Sequence, residues 1–434
     1  MLRSNPSLRR VLAAWLQSCL GTGAGYVALL LLTLRSTGSS WTVSAVLLAD
    51  FLPAVVFGAY FGHCADRYSR RALIVGGNLI QAAAFAGLAF SHTAVPIVLL
   101  AFVAGIGSAL MRPALRAALP AIAGDAQQTA AAVFDTCRWI GITIGPLFAA
   151  TLFYVSSVTL TLALNAASFV VAAAILATVS TGSTIAASVD EDERSSLREG
   201  LAVAFGAPGV GVVIACSSGV VIAGGLLNVC EPLFATGVLH GSGSAYALLV
   251  GAYGVGMVVA SSLVVRRGDA PGGVLARRYV GALLLTAVGM GGSAVVGSVA
   301  LAALSFGATG YANALSVVSE TQLIQIRVPN RVQGRLFGAR DMVEGVFLLA
   351  GFVGAPALVA AGGVRFAIAV GASVCAGCTI VAAGLMWATD KQPDAVAPLP
   401  ADEPPLIRRF DPRLAAEPAI IASEATVHAA PPAS

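Results

Sequence analysis

The sequence predicts an all-α integral membrane protein with twelve transmembrane helices in two six-helix, pseudo-symmetric bundles. Three observations predict it. Charged residues are 11% and hydrophobic residues 57% of the 434-residue chain, where ordinary soluble domains carry about 25% charged residues. With a mean hydropathy of +0.86, a soluble core of this length cannot hide so much apolar surface, whereas a bilayer can. Twelve stretches reach the roughly 20 mainly apolar residues that a crossing helix needs. Arginines also alternate between successive connections, sixteen in one set and two in the other.

The stretches follow in order. The first, 11–34, comes after Arg3, Arg9 and Arg10 and mimics a signal peptide. It is too long for a signal core and lacks a small-residue cleavage site, so it reads as an uncleaved first span. The second, 42–61, carries Asp50 at mid-span and ends in the dense charge of "FGHCADRYSRR", with Asp66, Arg67, Arg70 and Arg71. The third and fourth, 72–90 and 95–117, are apolar until Arg112 and Arg116. The fifth, 129–152, holds Asp135 and Arg138 and then "GITIGP"; the sixth, 157–178, is uninterrupted.

Residues 179–208 break the rhythm with the acids Asp190 to Glu193 followed by Arg194 and Arg198. They are expected to form a cytoplasmic linker. The seventh stretch, 209–235, places Glu231 near its end, where an interfacial position is expected; the eighth and ninth are 245–265 and 278–297. The tenth, 300–323, ends near Glu320, which Arg67 or Arg335 could neutralise. The eleventh, 336–360, opens with Arg340, Asp341 and Glu344, and the twelfth is 365–388. Residues 389–434 contain nine of the twenty prolines and no periodic apolar face, which is the composition of a disordered tail. The expected organisation is therefore an N-terminal bundle over 1–178, the linker 179–208, a C-terminal bundle over 209–388 and the tail 389–434.

Only Arg35 and Arg365 fall in the arginine-poor connections. The positive-inside rule then puts both termini, and the charges at 66–71, on the cytoplasmic side of a multi-pass cell (inner or plasma) membrane protein. The halves also echo one another. "GITIGP" on the fifth span is matched by "GFVGAP" on the eleventh, as expected of two structural repeats around a central cavity.

Ionisable residues within spans are costly and usually functional or paired. Asp135 and Arg138, three apart on one helix face, are expected to form an internal ion pair. Asp50, Asp341 and Glu344 are candidate proton carriers. Glu344 lies nine residues into its span, about 13 Å along the axis; a local pair with Arg340 is the other reading of that acid.

Several functions are excluded. The only lysine, Lys391, precedes Gln392, so no Gly-Lys-Ser/Thr phosphate loop exists for an ATP-driven pump. Metal-ligand clusters, a nucleophile elbow and a dinucleotide loop are missing from the sequence, so no cofactor and no enzyme activity are expected. Without a basic patch interleaved with aromatics, no nucleic-acid partner is expected either. Cys375 and Cys378 sit inside an apolar span and read as small apolar side chains.

"GHCADRYSRR" resembles the G-x-x-x-D-R-x-x-R-R loop of the major facilitator superfamily, carried by Gly62, Asp66, Arg67, Arg70 and Arg71. "GITIGP" resembles the first part of that family's fifth-helix antiporter motif, carried by Gly141, Gly145 and Pro146; Leu147, Phe148, Ala149 and Ala150 follow where the family continues with glycines. "MRPALRAALPAIAGDAQQTAAA" and "TQLIQIRVPNRVQGRLFG" look like its macrolide and siderophore exporter branch. The likeness spans about residues 8–388.

The resemblance implies a monomeric secondary transporter that works by alternating access. Its loop would be a conformational latch against the other half, and Arg112 would share in proton coupling. Its partners would be a small-molecule substrate, protons and the bilayer. An apolar cavity with few charges suits proton-coupled efflux of small amphiphilic compounds of the drug, macrolide or siderophore class. A proton-coupled importer and a non-transporting receptor or assembly protein remain alternatives.

Overall fold

Local signals set the helix ends. In the computed structural model, which describes residues 5–124, 127–155, 157–179, 209–267, 270–328 and 330–390, α1 (Pro6–Thr37) starts at Asn5. The Asn5 side chain accepts a hydrogen bond from the Leu8 N–H at 3.0 Å, satisfying one orphan donor of the first turn, and Pro6 is preset for the first helical position. The helix stops at Gly38, whose left-handed φ of 63° turns its N–H back to the Leu34 carbonyl. Serine hydroxyls cap α3 (Arg70–Leu88), α6 (Val158–Ala177) and α10 (Val299–Arg327) in the same way, through Ser69, Ser157 and Ser298.

The remaining helices are α2 (Ser40–Arg67), α4 (Ala94–Ala123), α5 (Gln127–Val155), α7 (Val210–Leu233), α8 (Gly243–Arg267) and α9 (Gly272–Val295). A π-helical turn, Phe234–Val238, extends α7. The helical run Asn330–Asp390 is broken at Gly363, with φ 82° and ψ 177°, into α11 (330–362) and α12 (364–390). Among the described residues eleven helices are long and apolar enough to cross a membrane, one of them spanning Arg335–Leu385. The break at Gly363 makes that one two helices, so the described residues hold twelve helices suited to crossing. The linker and tail expected at 179–208 and 389–434, with Asp190 to Glu193, lie almost wholly outside the described residues.

Helices α1 to α6 pack together, as do α7 to α12, and the pairings repeat. Helix α1 lies against α5 as α7 lies against α11; α2 lies against α4 as α8 lies against α10. In lipid the drive for such contacts is close packing, which small residues permit. Gly105 of α4 abuts the backbone carbonyl of Asp50 on α2, and Gly310 of α10 abuts that of Tyr253 on α8. The echoed motifs meet their neighbours likewise: Gly141 of α5 lies against Cys19 of α1, and Gly351 of α11 against Gly225 of α7.

Candidate functional site

The two bundles meet along two seams, α2 with α11 and α5 with α8. Both seams are closed over one half of their length, at the end where α1 leads into α2, here called the far end. On the first seam the Ser44 hydroxyl donates to the Phe352 carbonyl at 2.6 Å, and Phe51 meets Phe352 edge-on at 5.6 Å. On the second, the Ser244 hydroxyl donates to the Ala150 carbonyl at 3.0 Å and the Thr143 hydroxyl to the Gly254 carbonyl at 3.3 Å. Leu47, Ala149, Tyr246 and Phe352 are buried there.

The opposite half, toward the arginine-rich end, is open. Residues 44, 51, 55, 58 and 62 of α2 share one helix face. Val55 still approaches Gly345 of α11, but a Cβ at Gly58 or Gly62 would meet no atom within 4 Å, nor would one at Gly338 on α11. On the other seam Trp139 of α5 and Val258 of α8, next below the contact, are exposed. The result is a vestibule between the bundles that is sealed at the far end.

The vestibule walls carry the intramembrane charges. On the second bundle, the second wall, Arg340 of α11 has its side chain 11% exposed and grips Glu320 of α10 in a fork, Nε to Oε1 at 2.7 Å and Nη2 to Oε2 at 2.9 Å. Glu320 is 1% exposed, so Arg340 neutralises it, rather than Arg67 or Arg335 as expected. The same guanidinium reaches Glu344 at 3.0 Å, and the Ser217 hydroxyl of α7 donates to that carboxylate at 2.8 Å. Glu344 therefore stands in a pair. Asp341 makes a looser contact at 3.4 Å and is 74% exposed.

On the first wall the expected Asp135–Arg138 pair is not made. Asp135 bonds Arg116 of α4 at 3.3 Å, and Arg138 lies over the ring of its neighbour Trp139, 5.3 Å from the centroid. Three residues of separation put Asp135 and Arg138 on one face, but a nearer guanidinium on α4 takes the carboxylate. Both members of the Arg116 pair are exposed, so it contributes roughly 0–1 kcal/mol. Asp50 is half-buried on α2, within electrostatic reach of exposed Arg112. Neither makes a hydrogen bond or ion pair with another described residue.

The charged loop stands at the open end. The side chain of Asp66 lies outside the described residues. Arg67 and Arg71 are exposed, and Arg70 donates from Nη1 to the Ala117 carbonyl of α4 at 3.0 Å, within its own bundle. Gly145 and Pro146 lie on α5; a Cβ at Gly145 would sit 2.7 Å from the Gly23 Cα and 2.8 Å from the Ala24 backbone nitrogen of α1. Since backbone cannot yield as a side-chain tip can, Gly145→Val is expected to lower stability by about 1–3 kcal/mol. Thermal unfolding of the purified protein checks this, with Gly76→Val, which faces open space, as the unaffected control.

Sequence reasoning missed the Glu320–Arg340 fork and the burial of Glu231, which is 5% exposed rather than interfacial. The two ends of the fork are twenty positions apart on different helices, and no periodicity links them. For Glu231 the only signal is an acid set beside Pro232 in an otherwise apolar run.

The family model described as Major Facilitator Superfamily matches residues 12–264. Macrolide efflux protein A of Streptococcus pyogenes is 30% identical over 159 residues, 35% of this chain and 39% of that protein. Multidrug resistance protein MdtH of Aeromonas salmonicida (strain A449) is 42% identical over 62 residues, 14% of this chain and 15% of that one. The chain thus spans about two fifths of the length of the first of these curated relatives. Among solved structures, a bacterial homologue of the iron transporter ferroportin in an inward-facing state superposes with a TM-score of 0.70 at 14% identity, over 89% of this chain and 99% of that one. The nucleoside transporter NupG gives 0.67 at 14%, over 88% and 98%. At these identities the structural likeness speaks to the fold alone.

Proposed function

The chain belongs to the Major Facilitator Superfamily, and from that premise we propose that it is a proton-coupled exporter of small amphiphilic compounds of the drug, macrolide or siderophore class, working by alternating access. The observation that carries the reading is the asymmetric seam: contacts close the far end while the same helix faces stand apart at the other. A transporter needs two such poses related by rocking of the bundles. The efflux names of the relatives support the export direction.

In this reading the N-terminal bundle, 1–178, and the C-terminal bundle, 209–388, rock as two bodies, and the arginine-rich end faces the cytoplasm with both termini. The protein acts as a monomer. Gly62, Asp66, Arg67, Arg70 and Arg71 form a latch that is released while the vestibule is open. When that end closes, the exposed Arg67 and Arg71 approach the second wall, where Asp341 stands exposed. Gly141, Gly145 and Pro146 lie where α5 approaches α1 closely, a contact that holds the first bundle together as one of the two bodies. Asp50, with Arg112 beside it, is the strongest of the original proton-coupling candidates, because it has no cation bonded to it; Asp341 and Glu344 share Arg340.

Accumulation of a panel of labelled antibiotics and dyes in cells expressing the chain tests the reading. Lower accumulation that disappears with a protonophore is expected. Exclusion that survives collapse of the gradient removes the proton from the mechanism, and unchanged accumulation across the panel removes export of these compounds.

A further inference from the structure

Glu231 lies near the end of α7, beside Pro232 and the π-helical turn 234–238. It is 5% exposed and makes no hydrogen bond or ion pair with any described residue. No arginine, lysine or histidine among the described residues comes within electrostatic reach of it. Within electrostatic reach of it are a thiol, Cys230 on its own helix, and phenols: Tyr26 of α1, and Tyr246 and Tyr253 of α8. The Tyr246 hydroxyl is also buried without a partner.

Other charged groups on the helices around it are engaged or remote. Arg35 of α1 stands by Gly243 at the far-end rim, and Arg365 of α12 donates to the Ala294 and Val296 carbonyls. Arg340, Glu320 and Glu344 satisfy one another toward the opposite end. Asp50 of α2 reaches Tyr26.

Tyr26 belongs to the first bundle and Glu231 to the second, so the acid lies where the bundles meet. It is on the sealed side, close to Tyr246, which follows two positions after the Ser244–Ala150 bond. Alternating access requires this end to open, and water then reaches the carboxylate. A bare charge enclosed again in an apolar interior is strongly disfavoured, so the gate closes readily only over a neutral group. One carboxylate with a few phenolic hydroxyls lacks the six to eight oxygens that a calcium-like cation takes; a proton needs only one.

We propose that Glu231 is a proton-binding site of the far gate: it takes up a proton when that end is open, and the gate closes over the neutral carboxyl. This deepens the proton-coupled reading above and rests on it. Tyr26 lies within electrostatic reach of both Glu231 and Asp50.

The test uses the full chain in lipid nanodiscs, with spin-labelled non-natural residues at positions 41 and 366, which are exposed at the far end on opposite bundles. Inter-label distances report the closed-to-open ratio of the far gate across pH. In the wild type this ratio is expected to rise as pH falls, by up to about tenfold per pH unit for one linked proton. Glu231→Gln, a neutral isostere, is expected to stay closed with a flat response. A variant response equal to the wild type's overturns the assignment of Glu231 and leaves proton coupling standing. A wild type indifferent to pH overturns both. Should Glu231→Gln fail to fold, Glu231→Asp must keep the response with a displaced midpoint, and an unmoved midpoint overturns the assignment.

Discussion

Arg340→Met is expected to destabilise the protein by about 3–5 kcal/mol, the cost of removing one partner from a buried ion pair. The residue holds Glu320 through two parallel hydrogen bonds and Glu344 through an ion pair at 3.0 Å. Its loss strands one carboxylate that is 1% exposed and leaves another held by Ser217 alone. The gross attraction is not the source of the effect, since desolvating three ions offsets most of it; the stranded charge is. Removing that charge as well should therefore recover part of the loss. Thermal unfolding in detergent of Arg340→Met, Glu320→Gln and the double variant measures it. Additive single losses in the double variant would refute the coupling. Arg340→Lys should fall between, because an ammonium cannot reproduce the planar fork.

Gly62→Leu is expected to leave folding and abundance unchanged and to stop transport. In the present conformation a side chain there enters open space. Closing the arginine-rich end would bring this face of α2 toward α11, as Val55 and Gly345 already are, where a Cβ would meet Val55 at 3.3 Å. A leucine wedged into such a contact costs about 1–3 kcal/mol, and a bias of that size shifts a two-state equilibrium roughly 5–150-fold. Transport assays at matched abundance, with labelling of a vestibule residue to report the trapped pose, check this. Normal transport by Gly62→Leu would mean that α2 and α11 do not close along this face.

Much of the fold was legible because lipid acts on the chain one segment at a time. Each crossing needs its own apolar length, so twelve crossings appear as twelve runs. The last two runs, 336–360 and 365–388, become two helices joined at Gly363, a single residue of positive φ. The glycines of "GITIGP" and "GFVGAP" were legible for a related reason: a backbone contact tolerates no side chain whichever helix supplies the other surface. Gly141 and Gly351 both make such contacts, on α1 and α7.

The site was much less legible. Asp135 and Arg138 share a face by periodicity, yet Asp135 bonds Arg116 from the neighbouring helix. Helix periodicity states which way a residue points, whereas a partner depends on what stands opposite. Glu320 and Arg340 show the same limit, and so does Glu231, which is buried although it stands near the end of its helix.

By itself, then, the sequence determined the solvent, the number of crossings, the twofold repeat and the helix faces that come close, because each follows from composition or spacing along a single helix. Only the tertiary structure decided which end of the seam is shut and which of the described acids are paired with cations. Those depend on the rotation and approach of helices distant in the chain, and no local pattern encodes them.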